Sequence, residues 1–271
     1  MRPLTTIILA VMLLGCSEET AKAPGSHPVQ EPTGSVEPAT DFREPTPVQN
    51  GVHLRLRLKK GDMLESLFSG TIAVDAVKGS PTPPAGVLQT KTIAMSFSTT
   101  VVGVLDGAYK LKVTSTPLKT ESEEVQGEWR PKHQSGEITV NGSGRVLSDI
   151  EGLASGIHGI GFIRFPEAKV ARGSKWSSTS VRNMPPFGDV KIDESYVYRG
   201  VAERASVSLH RVDMSGSGSL PGFKMSGRYF YRVSNGTLHS ADLSQEAIVE
   251  IPGDKRGARV RMSIEVEVRA K

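Results

Sequence analysis

The stretch ARVRMSIEVEV, Ala258 to Val268, decides how the rest of the chain is read. Val260, Met262, Ile264, Val266 and Val268 fall on one side, and Arg259, Arg261, Ser263, Glu265 and Glu267 on the other. A period of two over eleven residues is the pattern of a β-strand with one buried face. Its polar face belongs to an antiparallel sheet that is wet on one side; strands of a parallel sheet are covered on both faces and read as continuous apolar runs.

The same period recurs. In VHLRLRL, Val52, Leu54, Leu56 and Leu58 alternate with His53, Arg55 and Arg57, which predicts another strand. TIAMSF (Thr92 to Phe97) puts Ile93, Met95 and Phe97 together, and AYKLKV (Ala108 to Val113) does so with Tyr109, Leu111 and Val113. Asp106-Gly107 and Asn235-Gly236 are hairpin signals, because both positions of a tight hairpin turn need φ above zero. No long amphipathic helix appears; the best helical window is VLSDIEGLAS, Val146 to Ser155. The fold class expected is mainly β: one large curved antiparallel sheet, half-barrel or clamshell, of about ten to thirteen strands with at most one or two short helices. Residues 51–271 are read as a single β domain of two similar halves, about 51–155 and 165–271, with Gly156 to Trp176 as the crossover.

Before that domain the composition changes. Ser17 to Asn50 holds six prolines, few apolar residues and no periodicity. Such a segment cannot bury enough apolar surface to offset chain entropy, so 16–50 is expected to be a disordered, acidic tether with a reach of about 100 Å. Its net charge is −4, while residues 51–271 carry +7. A basic domain of this kind can lean toward anionic lipid headgroups or polyanionic envelope polymers, although its Lys and Arg are scattered along the sequence and serve solubility equally well. No nucleic-acid motif accompanies them.

Cys16 is the single cysteine of 271 residues. It follows Arg2, an uncharged run from Leu4 to Leu14, and Gly15; the run is too short to span a bilayer and has the length of a signal-peptide core. Leu13-Leu14-Gly15-Cys16 resembles the lipobox of bacterial lipoproteins. That resemblance implies that 1–15 is a signal peptide cleaved between Gly15 and Cys16, that Cys16 is lipidated and its new amino group acylated, and that the protein is held at a membrane of the cell envelope by its acyl chains. One acyl chain anchors weakly and two or three anchor stably. Ser17 after the cysteine implies the outer membrane, facing the periplasm, rather than the inner. The order of parts (lipobox, Pro-rich tether, long antiparallel meander, and the FPEAKVARGSKW stretch from Phe165 to Trp176) is similar in layout to half-barrel envelope carriers of the Lol and LppX type and to β-clamshell envelope lipoproteins.

Chemistry is sparse. GxSxG, SxxK, HExxH and the Walker loop are all missing, and the six histidines are widely spaced. Asp189, Asp193 and Glu194 lack the spacing of a calcium loop and read as a solvated turn and strand start. The expectation is therefore a non-enzymatic protein with no catalytic residue, metal or cofactor. One candidate binding face remains. Met225, Tyr229 and Tyr231 share a side, as do Tyr196 and Tyr198, and with Met95, Phe97 and Trp176 they would line an apolar groove. Tyrosine and methionine suit greasy ligands with a polar end, so a lipid or other apolar ligand held in the clamshell is expected there, the alternative being a structural or protein-interaction module that docks on another envelope protein and has no ligand cavity. The same face is also what any sheet needs as its core, and the sequence leaves both readings open.

Overall fold

In a computed structural model of the chain, residues 41–45, 49–76, 91–118, 133–149, 163–183, 189–251 and 254–270 are described. The lipobox, most of the tether, the Gly156 to Gly161 run with His158, and the rest of the helical window after Asp149 lie outside them. The described residues contain no helix.

The strands are β1 (Asp41–Arg43), β2 (Met63–Ala76), β3 (Lys91–Leu105), β4 (Ala108–Pro117), β5 (Gln134–Asn141), β6 (Val146–Asp149), β7 (Lys175–Asn183), β8 (Asp189–Arg204), β9 (Val207–Gly218), β10 (Lys224–Arg232), β11 (Leu238–Ile251) and β12 (Asp254–Ala270). They form one antiparallel sheet in the order β1-β7-β8-β9-β10-β11-β12-β2-β3-β4-β5-β6. Two meanders, β2 to β6 and β7 to β12, are fused where β12 pairs with β2 over thirteen positions, from Ala258↔Ala76 to Ala270↔Leu64. The Ala258–Val268 stretch is thus the central strand joining the two halves. Its five apolar residues are all buried, and Arg261, Ser263, Glu265 and Glu267 are exposed, as alternation requires.

The sheet is open, with β1 and β6 at its edges, but strongly curled. Leu56 N–H donates to the Gly142 carbonyl in the β5–β6 turn, and Arg57 N–H, one residue on, donates to the Asn235 carbonyl in the β10–β11 turn, both at 2.8 Å. Those turns are about six strand spacings apart, roughly 29 Å in a flat sheet. Only a curled sheet brings them to adjacent residues of one chain.

The segment from Val52 to Leu58 that makes these bonds is not a strand of the sheet. It pairs once, Val52 with Val170, and otherwise runs extended across the ends of the strands. Leu54, Leu56 and Leu58 still point inward and are buried, while His53, Arg55 and Arg57 face out. The segment is a cap. Gly236 explains how closely it seats: a Cβ there would overlap the Arg55 carbonyl, and its φ of +71° suits glycine.

Two expectations need correction. Val146–Asp149 is the edge strand β6 rather than a helix start, because β5 offers it an open ladder through Ile138, Thr139 and Val140, and tertiary pairing overrides weak local propensity. The ordered body also begins before Asn50. Asp41–Arg43 pair with Ser177–Thr179, Pro45 is buried, and the Glu44 carboxylate accepts the backbone N–H groups of Glu167 and Ala168. Those backbone partners lie about 120 residues away, where no local composition rule can register them.

The outward face is polar by construction. One row of it, Ser177, Ser195, Ser215, Ser226, Ser244, Ser263, Thr71 and Thr92, presents a hydroxyl from each of eight neighbouring strands. Charges on this face are largely paired: Arg228 with Asp242, Lys110 with Glu137, and both Arg199 and Arg211 with Asp213, whose carboxyl those two guanidiniums hold below the usual range against the opposing effect of its partial burial.

Candidate functional site

The inner face of β7 to β10 carries most of the side chains singled out in the sequence. Alternation along each strand puts Trp176, Tyr196, Tyr198, Tyr229 and Tyr231 on this side, and all five are buried. Trp176 stacks on Tyr196, with ring centroids 5.4 Å apart, and its Nε1 donates to the Arg164 carbonyl. Tyr229 and Tyr231 lie nearly parallel at 6.1 Å, and Phe165 meets Tyr231 edge-on at 4.9 Å. Met225 is partly buried and folds toward Gly216, where a Cβ would come within 2.7 Å of its Cγ. Met95 and Phe97 are buried on β3, in the other meander, and belong to the same continuous core. All eight candidates therefore share one interior, six on β7–β10 and two across from them.

The chain itself occupies much of that interior. The cap contributes Leu54, Leu56 and Leu58, and a second extended segment contributes Ile163, Phe165 and Val170 to the same cluster. The Tyr109 hydroxyl fixes the cap from below by donating to the Leu56 carbonyl at 2.9 Å. Where cap, Phe165 and Tyr231 meet there is a cavity of about 10 Å³, lined also by His53, Arg55, Arg57 and His210, which is room for one water molecule.

Two polar clusters face inward that the sequence reading did not find. Glu194 is 7% exposed, and one of its oxygens, Oε2, accepts from both Ser178 Oγ (3.1 Å) and Tyr196 Oη (3.0 Å). The reading of Glu194 as part of a solvated turn is wrong: β8 runs through it, and the strand's alternation turns Glu194 in and Asp193 out, where Thr179 bonds it. That parity was available in the sequence, since Ile192, Glu194, Tyr196 and Tyr198 are two apart; the charge itself argued against the inner face. In the second cluster the Tyr198 hydroxyl and His210 Nδ1 are 2.8 Å apart. Burial, and then the Arg57 charge on the cap, push the His210 pKa down, so its ring is neutral at neutral pH. Burial pushes Tyr198 up, and pushes the fully enclosed Tyr231 well up, with Tyr229 adding to it.

Among the described residues no three His, Cys, Asp or Glu side chains gather where a metal could be held. The chemistry on view is packing and hydrogen bonding. No protein-family model matches the chain, and no curated protein matches it.

Proposed function

We propose that the protein is a lipid-anchored, non-enzymatic module of the bacterial cell envelope, held through acyl chains on Cys16 and acting by docking rather than by carrying a ligand. The Leu13–Cys16 motif, the lone cysteine and the Pro-rich stretch after it support the anchor. By the same reading the protein faces the periplasm, from the outer membrane. The observation that carries the choice of docking is the packing of the inner face. The aromatic row that would line a groove is buried in one cluster with the chain's own Leu54, Leu56, Leu58 and Phe165, and Phe165 packs on Tyr231. A carrier of greasy ligands keeps such a face free for its cargo.

Two measurements test this. Intact-mass analysis of the protein from its native membrane should show acyl chains on a mature chain beginning at Cys16, and Cys16→Ala should release it from the membrane fraction. Native mass spectrometry of the detergent-free body should give a single unliganded mass.

A second reading, an apolar ligand with a polar end bound in the interior, is favoured by one observation. Ser115 Oγ and Ser180 Oγ are buried on the inner face without a hydrogen-bond partner among the described residues, and the Glu194 carboxylate is buried there too. A stoichiometric lipid adduct in the native mass spectrum would select this reading over the first.

A further inference from the structure

The capped end of the curled sheet carries an excess of positive charge, and its place follows from the topology. Because neighbouring strands are antiparallel, the connections 44–62, 106–107, 142–145, 163–174, 205–206 and 233–237 all lie at the capped end. They hold eight Lys and Arg against four Asp and Glu. Two of those four acids accept backbone N–H groups, Glu44 from Glu167 and Ala168 and Asp62 from Lys59, and keep their charge, so the excess is four positive charges.

The excess is also presented differently. On the outer face most cations have a carboxylate beside them. On the cap, Arg55, Arg57, Lys59 and Lys60 are exposed, with no ion-pair partner among the described residues. Lys169 and Arg172 of the second extended segment are also exposed, with no ion-pair partner among the described residues. The inward leucines fix this arrangement: seating Leu54, Leu56 and Leu58 in the core forces Arg55 and Arg57 outward. Unpaired cations held on one blunt end form a local positive field that scattered surface lysines do not.

We infer that the capped end is a docking face for a membrane surface rich in anionic phospholipid. Basic residues held near such a surface attract it, and the attraction dies away within a Debye length, so the cations must be brought to contact. The 24 residues from Ser17 to Thr40, between Cys16 and the first strand, reach about 74 Å when extended, enough for this end to meet the bilayer that an anchor at Cys16 would supply. The choice of a bilayer as the occupant rests on the proposed anchor, while the binding itself is tested without acylation.

The full chain carrying Cys16→Ser, which cannot take an acyl chain at that position, is mixed with vesicles of phosphatidylglycerol and phosphatidylethanolamine, and separately with phosphatidylcholine vesicles, in low salt. Binding is read by co-flotation. The expected result is at least a tenfold preference for the anionic vesicles, lost in high salt. Arg55→Gln, Arg57→Gln, Lys59→Gln and Lys60→Gln together should abolish the preference with an unchanged melting temperature. Lys112→Gln, Lys191→Gln, Lys224→Gln and Arg228→Gln together, which remove the same charge from the outer face, should leave it within twofold. Equal losses in the two quadruple variants would overturn the inference by reducing it to net charge. Binding to a soluble polyanion with no preference for anionic vesicles would overturn it in favour of a polyanionic envelope polymer. Membrane release by Cys16→Ala, read after a high-salt wash that removes the electrostatic contact, reports only on the anchor, so either idea can fail while the other stands.

Discussion

Val52–Leu58 and Val260–Val268 carry the same alternation, yet they end in different structures. Val260–Val268 is hydrogen-bonded on both sides, to β11 and to β2. Val52–Leu58 has one bridge and a few bonds to turn carbonyls. In both, the apolar residues face in, except Val52 at the start of the first, which is exposed. Alternation therefore specified the inside and outside of each segment and said nothing about pairing. Pairing needs a neighbour with a free ladder, and the cap crosses strand ends, where only the carbonyls of Gly142 and Asn235 are on offer.

The contrast can be broken at several points. The largest effect is expected from Ser263→Pro. Its N–H is lost to a central ladder and its ring cannot fit between two strands, so the sheet should fail to assemble, with a cost of more than about 3 kcal/mol read as loss of the cooperative transition in urea. A folded variant of near-native stability would mean that β12 is not the joint between the halves.

Gly236→Ala should come next, at about 3 kcal/mol, because it combines a positive φ with a Cβ that overlaps the Arg55 carbonyl. Gly107→Ala is its control. The φ there is +76° with open space around the missing Cβ, so about 1–2 kcal/mol is expected. Similar chemical denaturation midpoints for the two variants would show that the cap does not bear on Gly236.

Leu56→Ala and Ile264→Ala each remove a buried branched side chain, at about 2–4 kcal/mol in a packed core. The two should differ in what they loosen. Leu56→Ala should speed tryptic cleavage at Arg55, Arg57 and Lys59 well before the rest of the chain becomes susceptible, since the cap has few backbone bonds to hold it. Ile264→Ala should raise susceptibility everywhere at once. Identical cleavage patterns would make cap and sheet a single cooperative unit.

The smallest effect sharpens the contact between cap and sheet. Burial and Arg57 lower the His210 pKa in the folded state, so the unfolded chain takes up a proton first as pH falls. Stability should decline as pH drops through about 6.5 and level off below the folded-state pKa. His210→Gln, which can still bond Tyr198, should remove part of the slope of melting temperature between pH 8 and pH 5. An unchanged slope would mean that His210 does not report on the cap.

How far the sequence could be read follows from the range of each interaction. The Asp106–Gly107 hairpin was legible because its turn chemistry is local, and both residues do take positive φ. The β8–β9 hairpin was not: Ala205 and Ser206 take the same positive φ with no Asn or Gly to announce it. The Asn141 and Asn235 turns are held as asparagine turns should be, each side-chain oxygen accepting from a backbone N–H two residues on. Parity within each strand grouped seven of the eight candidate residues; Trp176 had no alternating neighbour to place it. That they share one core with the cap leucines, and that Glu194 lies on their face, depends on contacts between segments far apart in the chain.

By itself, then, the sequence determined an antiparallel sheet with one wet face, the sides on which its strands' residues fall, and several of its turns, because each of these is fixed within a few residues by backbone geometry and hydrophobic period. Only the tertiary structure decided that the sheet curls far enough to bring two distant turns to Leu56 and Arg57, that Asp41–Arg43 joins its edge, and that the VHLRLRL pattern closes the interior instead of adding a strand. Those outcomes depend on which hydrogen-bonding groups remain unpaired after the sheet has formed, and no short window of residues contains that information.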